Sequence, residues 1–170
     1  MTDPSFFGYG SLVNLKTHAY HAPRPVTVAG WRRIWRSTTH SPYAILSVER
    51  HDTTLDGITA RVPDGDWAAL DQREAAYVRQ TLPDGTAIYE ITENILDPSA
   101  PHPILRSYLD VVIQGYLHQF GAASAARFAQ TTTGWRAILD DRATPLYPRH
   151  QKLTDAETAF VDTLLDTVGS

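Results

Sequence analysis

One acidic residue, Glu74, occupies a position where its chemistry can differ from that of an ordinary surface carboxylate. It ends the segment W-A-A-L-D-Q-R-E, whose residues favour a short helix. On that helix Trp67, Leu70 and Glu74 share one apolar face, whereas Asp71 and Arg73 point toward solvent. Burial and the negative end of the helix dipole both raise the pKa of a carboxyl group in this position. A glutamate with a pKa nearer neutrality is suited to general acid–base catalysis.

The second feature is a glycine-rich turn, which lies in the segment F-F-G-Y-G-S-L at residues 6–12. Glycine permits positive φ and a close approach of the backbone to a ligand, and successive N–H groups in such a turn can bind an anion. Both features also have a structural interpretation. The turn fits a plain corner of a sheet, and Glu74 fits an ion pair with an arginine such as Arg73 or Arg79.

Composition excludes several classes of function. The 170 residues include 15 Lys and Arg, 19 Asp and Glu, and no cysteine, for a net charge of -4. Because no basic stretch occurs, we expect no binding to nucleic acid or to a membrane surface. The absence of cysteine excludes disulfides, thiolate metal sites and cysteine nucleophiles. The histidines are scattered, so we predict no metal site and no other cofactor.

Familiar nucleotide-binding and hydrolase motifs do not fit the chain. Val13 stands where the third glycine of a dinucleotide fingerprint would fall, and neither a P-loop nor a nucleophile elbow occurs. The first residues have no basic region, and the apolar run at 6–15 is broken by glycine and polar residues. The run is therefore neither a signal peptide nor a membrane span, and we expect a cytoplasmic protein.

Short β-rich runs must position these residues in the first half of the chain. Ala75–Leu82 and Thr86–Glu93 flank Pro-Asp-Gly, which predicts a hairpin. About six strands are expected before residue 95, with the helix at 67–73 inserted among them. So many closely spaced strands favour a small antiparallel β-barrel.

The second half is predicted to be helical, with helices over 103–117, 122–130 and 154–167. Pro103 suits the first helical position, and the stretch 131–149 between the last two helices is expected to be irregular. Strands followed by helices indicate an α+β fold. We predict a single domain over 1–170, with a barrel core at about 5–95 and a helical part at about 103–168.

Taken together, the motifs resemble those of the γ-glutamylcyclotransferase-like family. They are F-G-Y-G-S-L at 7–12, L-D-G-I-T-A-R-V at 55–62, and L-D-Q-R-E at 70–74 with Tyr77 after it. The resemblance covers about residues 5–95 and rests on the order and spacing of short motifs. It implies a small β-barrel with packed helices, and an enzyme that releases 5-oxoproline from a small γ-glutamyl substrate without a cofactor.

The resemblance also assigns roles to individual residues. The resemblance implies that a turn binds the γ-glutamyl group, largely through backbone amides. In this sequence the residues of that turn are Tyr9, Gly10, Ser11 and Leu12. It implies that Glu74 is the catalytic glutamate, and Tyr77 is a candidate substrate contact. The substrate's α-amine attacks its own γ-carbonyl, and Glu74 removes the proton from the amine and then protonates the leaving nitrogen.

Two alternatives use the same residues differently. The chain could be a non-catalytic ligand-binding domain on the same barrel, or a small amide hydrolase in which Glu74 activates water. Outside the matched motifs, Arg142 and Arg149 could reach a substrate carboxylate. They fit equally well a structural role, capping helices or pairing with Asp140 and Asp141, and we favour that role.

Overall fold

A mixed six-stranded sheet forms the centre of the protein. The computed structural model describes residues 2–168. Its strands are β1 (Ser5–Gly8), β2 (His21–Arg36), β3 (Ile45–Arg61), β4 (Tyr77–Thr81), β5 (Ala87–Ile91), β6 (Ile104–Leu105), β7 (Thr132–Thr133) and β8 (Ile138–Leu139). The large sheet has the order β4-β5-β1-β3-β2-β7, while β6 and β8 form a separate pair. β1 pairs with β5 and β2 with β7 in parallel, and the other neighbours in the large sheet are antiparallel.

The α+β class is confirmed, but the expected antiparallel barrel is not what forms. The sheet is mixed, and within the described residues β4 and β7 remain its two edges, so it does not close. Five strands, rather than about six, precede residue 95. Residues 45–61 form the single long strand β3, because pairing with β2 resumes at Thr54 after Arg50 despite the bulge between them.

The long β2–β3 pair contains a bulge in β3. Only Gly30 stands on β2 where residues 51–53 stand on β3, and its φ of 90° is a conformation that glycine adopts without strain. Beyond this bulge Trp31, Arg33 and Trp35 alternate inward and are buried. The two tryptophans therefore pack in the core.

Four α-helices accompany the sheet: α1 (Ala68–Arg73), α2 (Arg106–Phe120), α3 (Ala122–Thr131) and α4 (Asp155–Asp166). The prediction that Pro103 opens a helix is wrong, because the next two residues pair in parallel with β8 and α2 starts only at Arg106. The stretch 131–149 contains β7 and β8 and is therefore less irregular than expected. No helix among residues 2–168 combines the length and hydropathy needed to cross a bilayer.

Local sequence signals determine the ends of two elements. The capping box of α4 is confirmed, since the Thr154 hydroxyl accepts the Glu157 N–H at 3.1 Å and the Glu157 carboxylate accepts the Thr154 N–H at 3.1 Å. The predicted hairpin is also confirmed, because β4 and β5 pair directly and Gly85 turns the chain with a φ of 87°. This hairpin follows α1 closely and fixes where that helix ends relative to the sheet.

Candidate active site

A cavity of about 340 Å³ opens beside the carboxyl end of α1. Most of its wall comes from the segments 40–46, 72–77 and 146–149. A smaller pocket of about 30 Å³ adjoins the cavity at the turn over residues 9–12. The residues that line both spaces are Ser11, Leu46, Glu74, Tyr77 and Tyr108. The glycine-rich turn and the predicted acid–base residue therefore face one continuous site.

Glu74 directly follows the last residue of α1. Its N–H donates to the Leu70 carbonyl at 2.9 Å, which completes the helix, and its side chain is only 13% exposed. The nearest cation is the Arg73 Nε, 3.7 Å from Oε1, and no residue among 2–168 donates a hydrogen bond to the carboxylate. Burial raises the pKa of Glu74, while the charges of Arg73 and Arg149 oppose that shift without cancelling it. The raised pKa that the sequence predicted is thus present, with burial as its largest cause.

The prediction that Arg73 points toward solvent is wrong. Its side chain is only 6% exposed, because the helix ends there and the guanidinium turns back onto the loop after β1. It donates to the Thr17 carbonyl at 2.9 Å, to the Thr17 hydroxyl at 3.0 Å and to the Ser11 Oγ at 3.1 Å. Arg73 therefore joins the end of α1 to the glycine-rich turn and fixes Glu74 beside it.

The other arginine that could have paired with Glu74 is engaged elsewhere. Arg79 bonds the exposed carboxylate of Asp71 at 3.1 Å and lies over the ring of Trp67 at 4.1 Å. Asp71 also accepts the hydroxyl proton of Tyr89 at 2.6 Å. These contacts support the outer face of α1 and leave the Glu74 carboxylate on the cavity side.

The glycine-rich turn is a short 3-10 helix, Ser11–Val13, that begins directly after Gly10. Neither Gly8 nor Gly10 uses the positive φ that glycine permits, and Gly10 has a φ of -119°. Close packing explains both glycines instead. A Cβ at Gly8 would lie 2.6 Å from the Leu12 Cβ, and one at Gly10 would lie 2.6 Å from the Tyr108 hydroxyl.

Two residues that line the small pocket carry the opening N–H groups of this turn. Those of Ser11 and Leu12 precede the first carbonyl that the 3-10 helix can offer, whereas Val13 already donates to the Gly10 carbonyl at 3.1 Å. The Tyr108 hydroxyl accepts from the Ser11 N–H. Ser11 also carries a hydroxyl whose oxygen accepts from Arg73 at 3.1 Å. The turn therefore presents backbone and hydroxyl donors within the same short stretch.

Buried tyrosines surround the Glu74 carboxylate. Tyr9 donates its hydroxyl proton to the Tyr89 carbonyl at 2.6 Å, and Tyr77 donates to the Leu46 carbonyl at 2.6 Å. Burial raises the pKa of both tyrosines, so they stay neutral. The Tyr77 ring therefore contributes an apolar wall to the cavity while its hydroxyl is held by the main chain.

A buried arginine in the sheet supports the turn from behind. Arg33 donates from Nε to the Tyr9 carbonyl at 3.1 Å and from its other end to the Asp56 carbonyl at 2.7 Å. Tyr116 donates to the same Tyr9 carbonyl at 2.7 Å, and the guanidinium lies over the Phe128 ring at 5.1 Å. These contacts fix the residue that precedes Gly10 and hence the direction of the turn.

The second half of the chain contributes Tyr108 and Arg149 to the cavity wall, and of these the sequence singled out only Arg149, for which it favoured a structural role. Tyr108 lies on α2, where its spacing indicated only an apolar helix face, and its ring packs edge-on against Tyr147 at 5.0 Å. Arg142 bonds Asp110 at 2.7 Å and Asp162 at 2.6 Å, so its role is structural, with different partners from those expected. Arg149 instead lines the cavity.

A metal centre has no counterpart in the part of the chain that the structure describes. Among residues 2–168 no three His, Asp or Glu side chains come close enough together to share a metal ion. The ionisable groups at the cavity are instead Glu74 with its neighbouring arginines, His40 and several tyrosines. This donor set suits proton transfer and the binding of a charged organic molecule.

Comparisons with known proteins identify the fold. No family model and no curated protein matches the sequence. YkqA from Bacillus subtilis matches in structure with a TM-score of 0.64 and 12% identity, over 81% of this chain and 56% of YkqA, so this chain spans little more than half the length of that protein. Two structures of a γ-glutamyl cyclotransferase specific to glutathione from yeast match with TM-scores of 0.46 and 0.42, at 13% and 14% identity. The two matches cover 98% of this chain and 97% and 100% of the yeast chains. Their TM-scores lie below those that indicate a shared fold. From its similarity to YkqA, the chain shares the fold of that protein over the matched part of its length.

Proposed function

We propose that this protein is a γ-glutamylcyclotransferase-like enzyme that releases 5-oxoproline from a γ-glutamyl peptide or a γ-glutamyl amine. One observation carries the proposal. The largely buried Glu74 carboxylate, which accepts no hydrogen bond from residues 2–168, lies where the cavity meets the pocket at the turn over 9–12. A general acid–base must reach its substrate and exchange a proton near neutral pH, and this position favours both.

In the proposed reaction Glu74 first acts as a base. The α-amine of the substrate is mostly an ammonium ion near pH 7, since its pKa is about 8. Glu74 removes one proton, and the neutral nitrogen attacks the γ-carbonyl carbon of the same molecule. A new C–N bond closes the five-membered ring and gives a tetrahedral intermediate with a negative oxygen. Because nucleophile and electrophile belong to one molecule, the protein has mainly to hold a reactive conformer.

Glu74 then acts as an acid. It returns the proton to the leaving nitrogen, the ring nitrogen gives up its second proton to solvent, the original C–N bond breaks, and 5-oxoproline and a free amine are formed. The N–H groups of Ser11 and Leu12 donate to the developing oxyanion or to the substrate carboxylate in this proposal. Binding of the γ-glutamyl group displaces the Tyr108 hydroxyl from the Ser11 N–H. Tyr77 supplies an apolar wall beside the reacting carbonyl.

Arg73 is a positioning residue in this scheme. Its three hydrogen bonds to Ser11 and Thr17 support a fixed distance between the turn and the carboxylate. Its charge also limits how far burial raises the pKa of Glu74. Without this opposing charge the carboxyl group would hold its proton more tightly and serve less well as a base.

Product analysis tests the proposal. The purified protein is incubated with γ-glutamyl peptides, γ-glutamyl amino acids and γ-glutamyl amines, and both 5-oxoproline and glutamate are measured. We expect 5-oxoproline from at least one compound and its loss in Glu74→Gln. Release of glutamate instead would identify an amide hydrolase, and tight binding with no product would identify a ligand-binding domain.

A matched control separates the loss of the base from a general effect of the substitution. Glu90 lies on β5, lines neither pocket, and also has a pKa raised by burial. Glu90→Gln therefore makes the same chemical change away from the site. We expect it to keep the activity of the native protein, and equal activity in both variants would contradict the role of Glu74.

A further inference from the structure

Arg149 is a cavity residue whose guanidinium has no hydrogen-bond or ion-pair partner among residues 2–168, although its charge acts on Glu74. It belongs to the segment Leu146–Arg149, which follows the short strand β8 and covers one side of the cavity. Among residues 2–168 no carboxylate, hydroxyl or carbonyl accepts a hydrogen bond from its guanidinium. An arginine at the rim of a concave site with no internal partner is available to a ligand.

The other arginines near the site differ from Arg149 in this respect. Arg73 is buried and already donates to Ser11 and Thr17. Arg142, seven residues earlier in the chain, is bound by carboxylates on α2 and α4 and does not line the cavity. Of the two cavity arginines, Arg149 therefore remains for recognition of a negative group.

The layout of the site indicates which part of a substrate meets Arg149. In the proposed function the γ-glutamyl amine lies at Glu74 and its carboxylate lies at the turn over 9–12. The leaving group then extends into the larger space between the segments 40–46 and 146–149. Arg149 belongs to this outer wall and not to the pocket at the turn.

We propose that Arg149 binds a carboxylate on the leaving group, so that the preferred substrates are γ-glutamyl amino acids or peptides and not γ-glutamyl amines. This inference rests on the proposed function and adds the substrate class. A neutral amine gains nothing from the guanidinium, and a cationic one such as a diamine is repelled by it. A hydrogen-bonded Arg–carboxylate pair of this kind changes kcat/KM by roughly 10- to 100-fold.

A matched pair of substrates isolates the carboxylate. γ-Glutamyl-ethylamide is γ-glutamyl-alanine without the carboxylate of the alanine, so the two share every other atom of the leaving group. We expect the native protein to prefer γ-glutamyl-alanine by roughly 10- to 100-fold in kcat/KM. Arg149→Gln is expected to lose this preference through a higher KM for γ-glutamyl-alanine, whereas a change that comes from the loss of its charge near Glu74 falls equally on both substrates and leaves their ratio unaltered. Arg149→Lys is expected to restore part of the preference.

Other outcomes overturn the inference. Equal losses for both substrates in Arg149→Gln would mean that Arg149 acts on what the two compounds share, through the γ-glutamyl carboxylate or through the pKa of Glu74, and not on the leaving group. No change for either would mean that it binds neither carboxylate. Since Arg149 makes no side-chain hydrogen bond among residues 2–168, the variant is expected to fold, and its unfolding midpoint checks this.

Failure of the proposed function gives a different result. In that case the native protein releases no 5-oxoproline from either compound, and calorimetry then measures binding of the same pair to the native protein and to Arg149→Gln. Tighter binding of γ-glutamyl-alanine that depends on Arg149 would support the carboxylate site in a ligand-binding protein. Equal binding of both compounds, or no binding, would overturn it.

Discussion

Replacing Glu74 with glutamine should lower activity and raise stability at the same time. The loss of a general acid–base lowers kcat by about 10²- to 10⁴-fold, or roughly 3–5 kcal/mol of barrier. Stability changes in the other direction because burial raises the pKa of Glu74 in the folded protein. Above that pKa the native protein contains a buried carboxylate that glutamine lacks.

The sign follows from proton binding. Between the unfolded pKa of about 4.3 and the higher folded pKa, the folded state binds more protons, so the free energy of unfolding falls as pH rises. The fall amounts to about 1.4 kcal/mol for each tenfold change in the acid constant and is complete above the folded pKa. The Glu74→Gln variant lacks this titration. The difference between its free energy of unfolding and that of the native protein should therefore grow between the two pKa values and remain constant above the folded pKa.

Urea denaturation followed by tryptophan fluorescence at several pH values measures this difference, since the chain contains four tryptophans. The competing interpretation is a structural ion pair between Glu74 and Arg73, whose closest atoms are 3.7 Å apart. Breaking a buried pair of that kind costs about 3–5 kcal/mol. A variant that is several kcal/mol less stable than the native protein at pH 8, yet still active, would refute the reasoning.

Three further substitutions test the supporting structure. Gly10→Ala places a Cβ 2.6 Å from the Tyr108 hydroxyl, so we expect a loss of about 1–3 kcal/mol in unfolding experiments, partly recovered by adding Tyr108→Phe. Arg142→Ala leaves the mostly buried Asp110 without its cation and should cost about 3–5 kcal/mol while KM stays the same; a selective rise in KM would place Arg142 in the site. Thr154→Ala removes the cap of α4 and should lower stability by about 1 kcal/mol, and an unchanged midpoint would count against the capping box.

Features that depend on neighbouring residues were predictable from sequence. The Pro-Asp-Gly turn, the end of α1 and the capping box of α4 each follow from a few adjacent side chains. The burial of Glu74 followed from its spacing to Leu70 on one helical face. The motifs that carry the family resemblance are also short local segments, and they all lie in the first half of the chain.

Features that depend on distant pairing were not predictable. The parallel contact between β1 and β5 joins segments about eighty residues apart, and nothing local distinguishes it from an antiparallel one. The inward turn of Arg73 depends on Thr17 lying in front of it. Tyr108 and Arg149 reach the cavity only because α2 and the segment after β8 pack beside α1, and their own neighbours indicate merely a helix and a loop.

The two halves of the chain contribute different properties to the cavity. Glu74 and the turn over 9–12 come from the part before residue 95, whereas Tyr108 and the segment 146–149 come from the part after 103. If the proposed function holds, exchange of the residues at 146–149 is expected to change which leaving group is preferred, while the turn and the Glu74 carboxylate stay in place. Replacement of Arg149 would also change the charge that acts on Glu74, so exchanges that keep an arginine at 149 are the ones that would alter selectivity alone.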